Sequence, residues 1–334
     1  MRGLTISDAV VRYTTTPQGG RPAVITAVDG VSLQVAPGEI VALLGASGSG
    51  KSSLLRAVAG LEPVVSGRVR WDDDDLTGVP THRRNFGMMF QDAQLFPSMN
   101  VGRNVAYGLH QSPRGDRRRR VDELLTLVGL PGYGDRLVTE LSGGQAQRVA
   151  LARSLAPSPR LILLDEPLSA LDRGLREHMV SALSSGLRAT GTTAVYVTHD
   201  QDEAFTIADR VAVLEAGRLL QVAEPQELWR RPSSRRVAAF LGYRPFVDAD
   251  IAAGLGYADI GADEVLGLGP GALSIAEAGV LVPVLDQSHR RGRLEIGVEL
   301  PDGQRADVPH ERRVDDTHVR IALNPDDTVR VPRG

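Results

Sequence analysis

Residues 45–52, GASGSGKS, concentrate more chemistry than any other stretch of the chain. The spacing GxxxxGKS puts Gly45, Gly48 and Gly50 where a backbone can curl closely around an anion, followed by a cation and a hydroxyl. Successive N–H groups of such a loop, with the positive end of the following helix, would hold β- and γ-phosphates. Gly45, Ala46, Ser47, Gly48, Ser49, Gly50, Lys51, Ser52 and the adjoining Ser53 are the candidate phosphate-contacting residues, and Ser52 would place its hydroxyl on Mg²⁺. Lysine suits this position because its ammonium is a compact charge with three donors, whereas the planar fork of arginine has a different reach. Composition singles out the same residue: of 38 basic side chains one is a lysine, leaving 38 − 1 = 37 arginines, and that lysine is Lys51.

The second reactive pattern is LILLDE, residues 161–166. A buried strand ending in two carboxylates delivers them to the C-terminal edge of a parallel sheet, where ligands bind. Asp165 would hold Mg²⁺ through water, and Glu166 is the candidate that orients or deprotonates the attacking water. An apolar run ending in Asp-Glu is by itself an ordinary strand end; beside a phosphate loop it indicates a P-loop nucleotidase.

These residues need a sheet and helices to position them. Residues 1 to about 240 alternate short apolar runs with amphipathic segments, the pattern of strands and helices around a largely parallel sheet. EIVALL (39–44), LILLD (161–165) and TTAVYVT (192–198) read as strands covered on both faces, because they are apolar almost without alternation. Helices are expected over 50–60, 142–156 and 175–190, and VAVLEAGRLLQV (211–222) reads as an antiparallel hairpin on the far edge. Beyond a Pro- and Arg-containing stretch at 230–245, residues 246–334 show short alternating strands such as LEIGVEL (294–300), as in a small β-barrel. The expected domains are 1–240 and 246–334. Asp72 to Asp75 and Arg117 to Arg120 read as solvated surface.

Composition excludes several function classes. With no cysteine there is no disulfide framework, thiol nucleophile or cysteine-held metal, which fits a reducing cytoplasm. A net charge of −3 argues against a nucleic-acid partner. No apolar run is long enough to span a bilayer and the N-terminus lacks a signal-peptide core, so a membrane role has to come through a partner.

At LSGGQ, residues 141–145, the chain resembles the ATP-binding-cassette (ABC) ATPases, and the resemblance extends over the whole first domain. Gln91 in MMFQD resembles the family's glutamine loop, SALD (169–172) its D-loop and His199 in VTHD its switch histidine. Tyr13 falls where the family places an aromatic residue that stacks on adenine. The resemblance implies an α/β P-loop cassette that binds ATP and Mg²⁺. Ser142, Gly143, Gly144 and Gln145 would open a helix that meets the γ-phosphate held by the opposing subunit, in a head-to-tail homodimer or pseudo-symmetric dimer. His199 would hold the attacking water with Glu166, while Gln91 would join Mg²⁺ to a surface that docks a membrane subunit.

The C-terminal region resembles the OB-like accessory domain of importer ATPases, although GALSIAEAG (271–279) stands where many relatives carry an Arg-Pro-Glu segment. The resemblance implies the ATP-hydrolysing subunit of a bacterial importer, peripheral to the cytoplasmic face of the inner membrane. It would work with separate permease subunits and, through them, an extracytoplasmic solute-binding protein. Stretches such as FGMMFQDAQLFPSMNVGRNVAYGL point to the ferric-iron or thiamine branch, with polyamine behind them. The alternatives are an export cassette and a soluble, non-transport cassette acting on ribosomes or DNA. A small-molecule P-loop kinase is a further reading, but has no use for LSGGQ.

Overall fold

Ile40–Leu44, Leu161–Asp165 and Thr193–Thr198 are strands in which every residue is buried, as apolar runs covered on both faces must be. The structure is a computed structural model that describes residues 3–15, 23–109, 113–290 and 293–333. It divides into two compact units, Met1–Pro225 and Gln226–Gly334.

The first unit opens with β1 (Leu4–Thr15), β2 (Ala23–Val35) and β3 (Ile40–Leu44), then the phosphate loop and α1 (Lys51–Ala59). Next come β4 (Ser66–Trp71), β5 (Asp74–Asp75), β6 (Phe86–Met89), α2 (Val101–Val105), α3 (Arg114–Leu127) and α4 (Gly143–Leu155). The remainder alternates β7 (Leu161–Asp165), α5 (Arg173–Thr190), β8 (Thr193–Thr198), α6 (Gln201–Ile207), β9 (Arg210–Glu215) and β10 (Arg218–Ala223), and α7 (Pro225–Arg230) spans the division between the units.

The central six-stranded sheet runs β10-β9-β3-β8-β7-β6, parallel from β9 to β6 and antiparallel only at β10. The β9–β10 pair is the hairpin expected on the far edge, closed by Ala216 and Gly217 at φ 48 and 81, a two-residue turn whose twist suits a hairpin. Register aligns Leu44 with Thr198 and Asp165 with Val197. The phosphate loop, Asp165 and the segment after β8 consequently leave the sheet at one carboxyl edge.

A second, antiparallel sheet, β2-β1-β4-β5, lies outside the largely parallel arrangement expected for this region. Its signal is obscured in the sequence because β1 is bulged. Pairing with β2 shifts between Ile6 and Ala9 and again between Ala9 and Val11, and Asp8 takes φ 46, so the period-2 alternation breaks. Leu54, Leu55 and Val58 of α1 share one core with Leu4, Val11 and Leu33 of this sheet and with Leu43, Leu163 and Val195 of the central one. Each such aliphatic side chain contributes about 1.5–3 kcal/mol by its burial, which anchors the helix that carries Lys51.

The second unit holds α8 (Arg235–Leu241), β11 (Phe246–Val247), α9 (Ala249–Gly254), β12 (Glu264–Leu268), β13 (Leu273–Arg290), β14 (Arg293–Glu299), β15 (Arg305–His310), β16 (His318–Leu323) and β17 (Thr328–Pro332). Its strands form two antiparallel sheets, β11-β12-β17 and β15-β14-β13-β16. The long β13 pairs with β16 along its first part and with β14 along its last. One apolar core, including Val247, Leu266, Ile296, Val308 and Ile321, serves both sheets, giving a β-rich accessory domain. Among the described residues no helix is long and apolar enough to cross a membrane.

Candidate functional site

Gly50 ends the phosphate loop at φ 99, as the N-cap of α1, and a Cβ built on it would lie 2.2 Å from the Ala27 carbonyl oxygen. Both the handedness and the space require glycine here. Gly50→Ala is accordingly expected to weaken ATP binding and lower thermal stability. Strain of about 1–3 kcal/mol, at roughly 2–4 °C per kcal/mol, amounts to several degrees in a melting scan followed by ATP titration. On its outer side the loop is braced by the β9–β10 turn, where Gly217 N–H donates to the Ser49 carbonyl at 3.0 Å. Ala46, Ser47 and Gly48 form the exposed crest, Gly45 and Ser49 are buried, and Ser53 is half-buried on α1.

Lys51 is the first residue of α1 and nearly buried. Its Nζ donates to the carbonyls of Gly45 and Ala46 at 2.8 and 2.9 Å and to Ser49 Oγ at 3.4 Å. Burial pushes the ammonium below the ordinary lysine range, while the nearby Glu166 and Asp165 carboxylates push it back up.

Ser52 Oγ donates to Asp165 Oδ1 at 2.8 Å, joining the start of α1 to the end of β7. Burial holds the Asp165 carboxyl above the usual carboxylate range, against the Ser52 hydrogen bond and the charges of Arg56 and Lys51. Glu166 follows at φ 46, a left-handed conformation uncommon for a non-glycine residue. Its N–H donates to the Val197 carbonyl at 3.0 Å, tying the residue to β8. Gln91 Nε2 lies 3.4 Å from Glu166 Oε2, and His199 Nδ1 lies 3.2 Å from Glu166 Oε1. Lys51, Ser52, Gln91, Asp165, Glu166 and His199, spread over residues 51–199, thus converge on one edge of the central sheet.

The remaining candidates, Tyr13 and residues 142–145, lie elsewhere. Tyr13 is half-buried on β1 opposite Ile25, at the margin of the core around α1; residues 16–22, from the insert that follows it, are outside the described ones. At the start of α4, Ser142 Oγ accepts from Gln145 N–H at 3.3 Å and Gln145 Oε1 accepts from Ser142 N–H at 3.0 Å, a reciprocal cap. Ser142 and Gly143 are exposed, while a Cβ on Gly144 would lie 2.8 Å from Leu171 Cδ2. Within one chain, α4 thus opens against the 169–172 turn and presents its first residues outward.

One residue with a place in this geometry has no counterpart among the sequence candidates. Gln147, on α4 and 2 % exposed, donates from Nε2 to the Glu166 carbonyl and to Ser169 Oγ, both at 3.1 Å. The available signal is its spacing, three residues after Gly144 and so on the same helix face.

Residues 28–169 match the ABC transporter family. The ferric-ion import ATP-binding protein FbpC of Streptomyces avermitilis is 46% identical over 329 residues, covering 97% of this chain and 88% of that protein. The putrescine transport ATP-binding protein PotG of Escherichia coli is 49% identical over 218 residues, 65% of this chain and 58% of its own length. Among solved structures, a dimeric bacterial ABC transporter cassette superposes with a TM-score of 0.61 at 30% identity, over 66% of this chain and 98% of that one.

Proposed function

This chain belongs to the ABC transporter ATP-binding proteins, and on that premise we propose that it powers ferric-iron uptake from the cytoplasmic face of the inner membrane. It binds ATP, and its hydrolysis serves import through membrane permease subunits. The observation that favours iron is the reach of the likeness: the Streptomyces ferric-ion relative matches through the C-terminal β-rich part, whereas the putrescine relative aligns over about two thirds of the chain. A solute-binding protein would deliver the ion to the permease. Residues 1–240 would act as the nucleotide-binding domain and 246–334 as the accessory domain.

The chemistry follows from what each side chain can do. Lys51 would exchange its loop carbonyls for phosphate oxygens, as a point charge can. Glu166 would take a proton from water as the oxygen attacks the γ-phosphorus and ADP leaves, with His199 and Gln91 holding the carboxylate between them. The donors beside it are hard oxygens, the Ser52 hydroxyl and a buried Asp165 carboxylate whose charge asks for a cation; such a set suits Mg²⁺. Ser52, Asp165 and Gln91 would hold the ion, which when bound neutralises charge on the phosphates. The Ser142–Gly144 segment, whose Ser142 and Gly143 are exposed, would cover the nucleotide of a second copy, so that two sites form between two head-to-tail subunits.

Reconstitution tests the assignment. The protein reconstituted in vesicles with a ferric-ion permease and its binding protein should drive ferric-iron uptake when supplied with ATP. Uptake of thiamine or spermidine instead would overturn the substrate, and co-purification with ribosomes or DNA in place of a permease would overturn the transport role.

A further inference from the structure

Glu166 occupies a left-handed backbone conformation that is strained for a non-glycine residue, so its orientation depends on what holds it. Beyond the bond from its N–H to β8, the restraint is on its carbonyl, which accepts from Gln147 Nε2 at 3.1 Å and from Ser169 Oγ at 3.1 Å. The same Gln147 amide donates to Ser169 Oγ at 3.1 Å and accepts from Ala170 N–H at 3.0 Å. One buried side chain therefore fastens both ends of the 166–170 turn to α4. Three residues earlier on that helix, Gly144 meets Leu171 and the Ala170 carbonyl so closely that a Cβ would come within 2.8 and 3.2 Å of them. The opening of α4 and the backbone of Glu166 are one packed body.

We infer that Gln147 is a positioning residue that fixes the Glu166 carboxylate for hydrolysis and makes it answer to the placement of the α4 N-terminus. The coupling half rests on the proposed head-to-tail dimer: Ser142–Gly144 would engage the γ-phosphate at one site, while the Glu166 joined to them acts at the other. Displacement of α4 on nucleotide engagement would shift the Glu166 carbonyl through a single amide. A misplacement of about 1 Å at a reacting group can cost on the order of a hundredfold in rate.

Gln147→Leu keeps the volume and removes both halves of the amide. In full-length protein, kcat for ATP should fall roughly tenfold while the ATP dissociation constant stays within about twofold, and the Hill coefficient for ATP should drop toward one. Placed in a Glu166→Gln background, the substitution should bring no further loss of residual hydrolysis, since it acts through the group already removed. Ser169→Ala, at an exposed position, removes the bridging hydroxyl without disturbing the core and should lower kcat about threefold at unchanged melting temperature. Equal kcat in Gln147→Leu and wild type, or a multiplicative loss in the double variant, overturns the inference. Absence of hydrolysis in the wild type would instead overturn the proposed function.

Discussion

In the Glu166→Gln protein, ATP is expected to bind with unchanged affinity and to turn over roughly 10²–10⁴-fold more slowly, the range that a positioned general base supplies. The amide keeps the size of the carboxylate and can still accept from Gln91, but it has no lone pair basic enough to take a proton from water. Nothing that holds the phosphates is touched: Lys51 makes its contacts with the loop, and Ser52 with Asp165. The variant should consequently collect in its ATP-bound form. If the outward-facing Ser142 and Gly143 cover a partner's nucleotide as proposed, that form should be a dimer, visible as an ATP-dependent shift in sizing chromatography. Monomer alone in saturating ATP would rule out the shared site, and undiminished turnover would rule out the role of Glu166.

Lys51→Ala should act on binding instead. Each hydrogen bond from a charged donor is worth about 1.5–3 kcal/mol, so loss of the ammonium should raise the ATP dissociation constant about 10–100-fold. Folding stability should move little, or rise. The three acceptors of Lys51 are two carbonyls and a hydroxyl of its own loop, and burial already disfavours its charge, so removing it relieves a desolvation cost. Calorimetric titration with ATP beside a melting scan separates the two effects. Weak binding with an intact melting temperature supports the assignment, and unchanged affinity overturns it.

What could be read from the sequence is the part that local physics dictates. Strands such as 161–165 declare themselves because burial on both faces leaves no polar position, and α4 because an amphipathic segment runs from Ser142 to residue 156. The phosphate loop is legible because its demand for glycine and a point charge is local. The antiparallel sheet was not legible, since the bulge around Asp8 breaks the alternation that announces a strand. Nor was the place of Gln147, because its partners Glu166, Ser169 and Ala170 arrive from another segment and only the folded chain sets them within hydrogen-bond reach. The positive φ of Glu166 is likewise a tertiary outcome, imposed by bonds to β8 and α4.

The order of strands in the central sheet bears on how the protein comes into being. β3, which leads to Lys51, and β7, which leads to Glu166, are not neighbours; β8 lies between them and pairs with both. As the polypeptide leaves the ribosome, β8 emerges after both of them, and each pairing closes a loop of many residues, the slow kind of contact. A nascent chain that has not reached Thr193 lacks the strand that joins the lysine's support to the glutamate's. On the proposed roles of Lys51 and Glu166, the ability to split ATP is gained in one late step of biogenesis, before which a half-made cassette cannot consume nucleotide to no purpose.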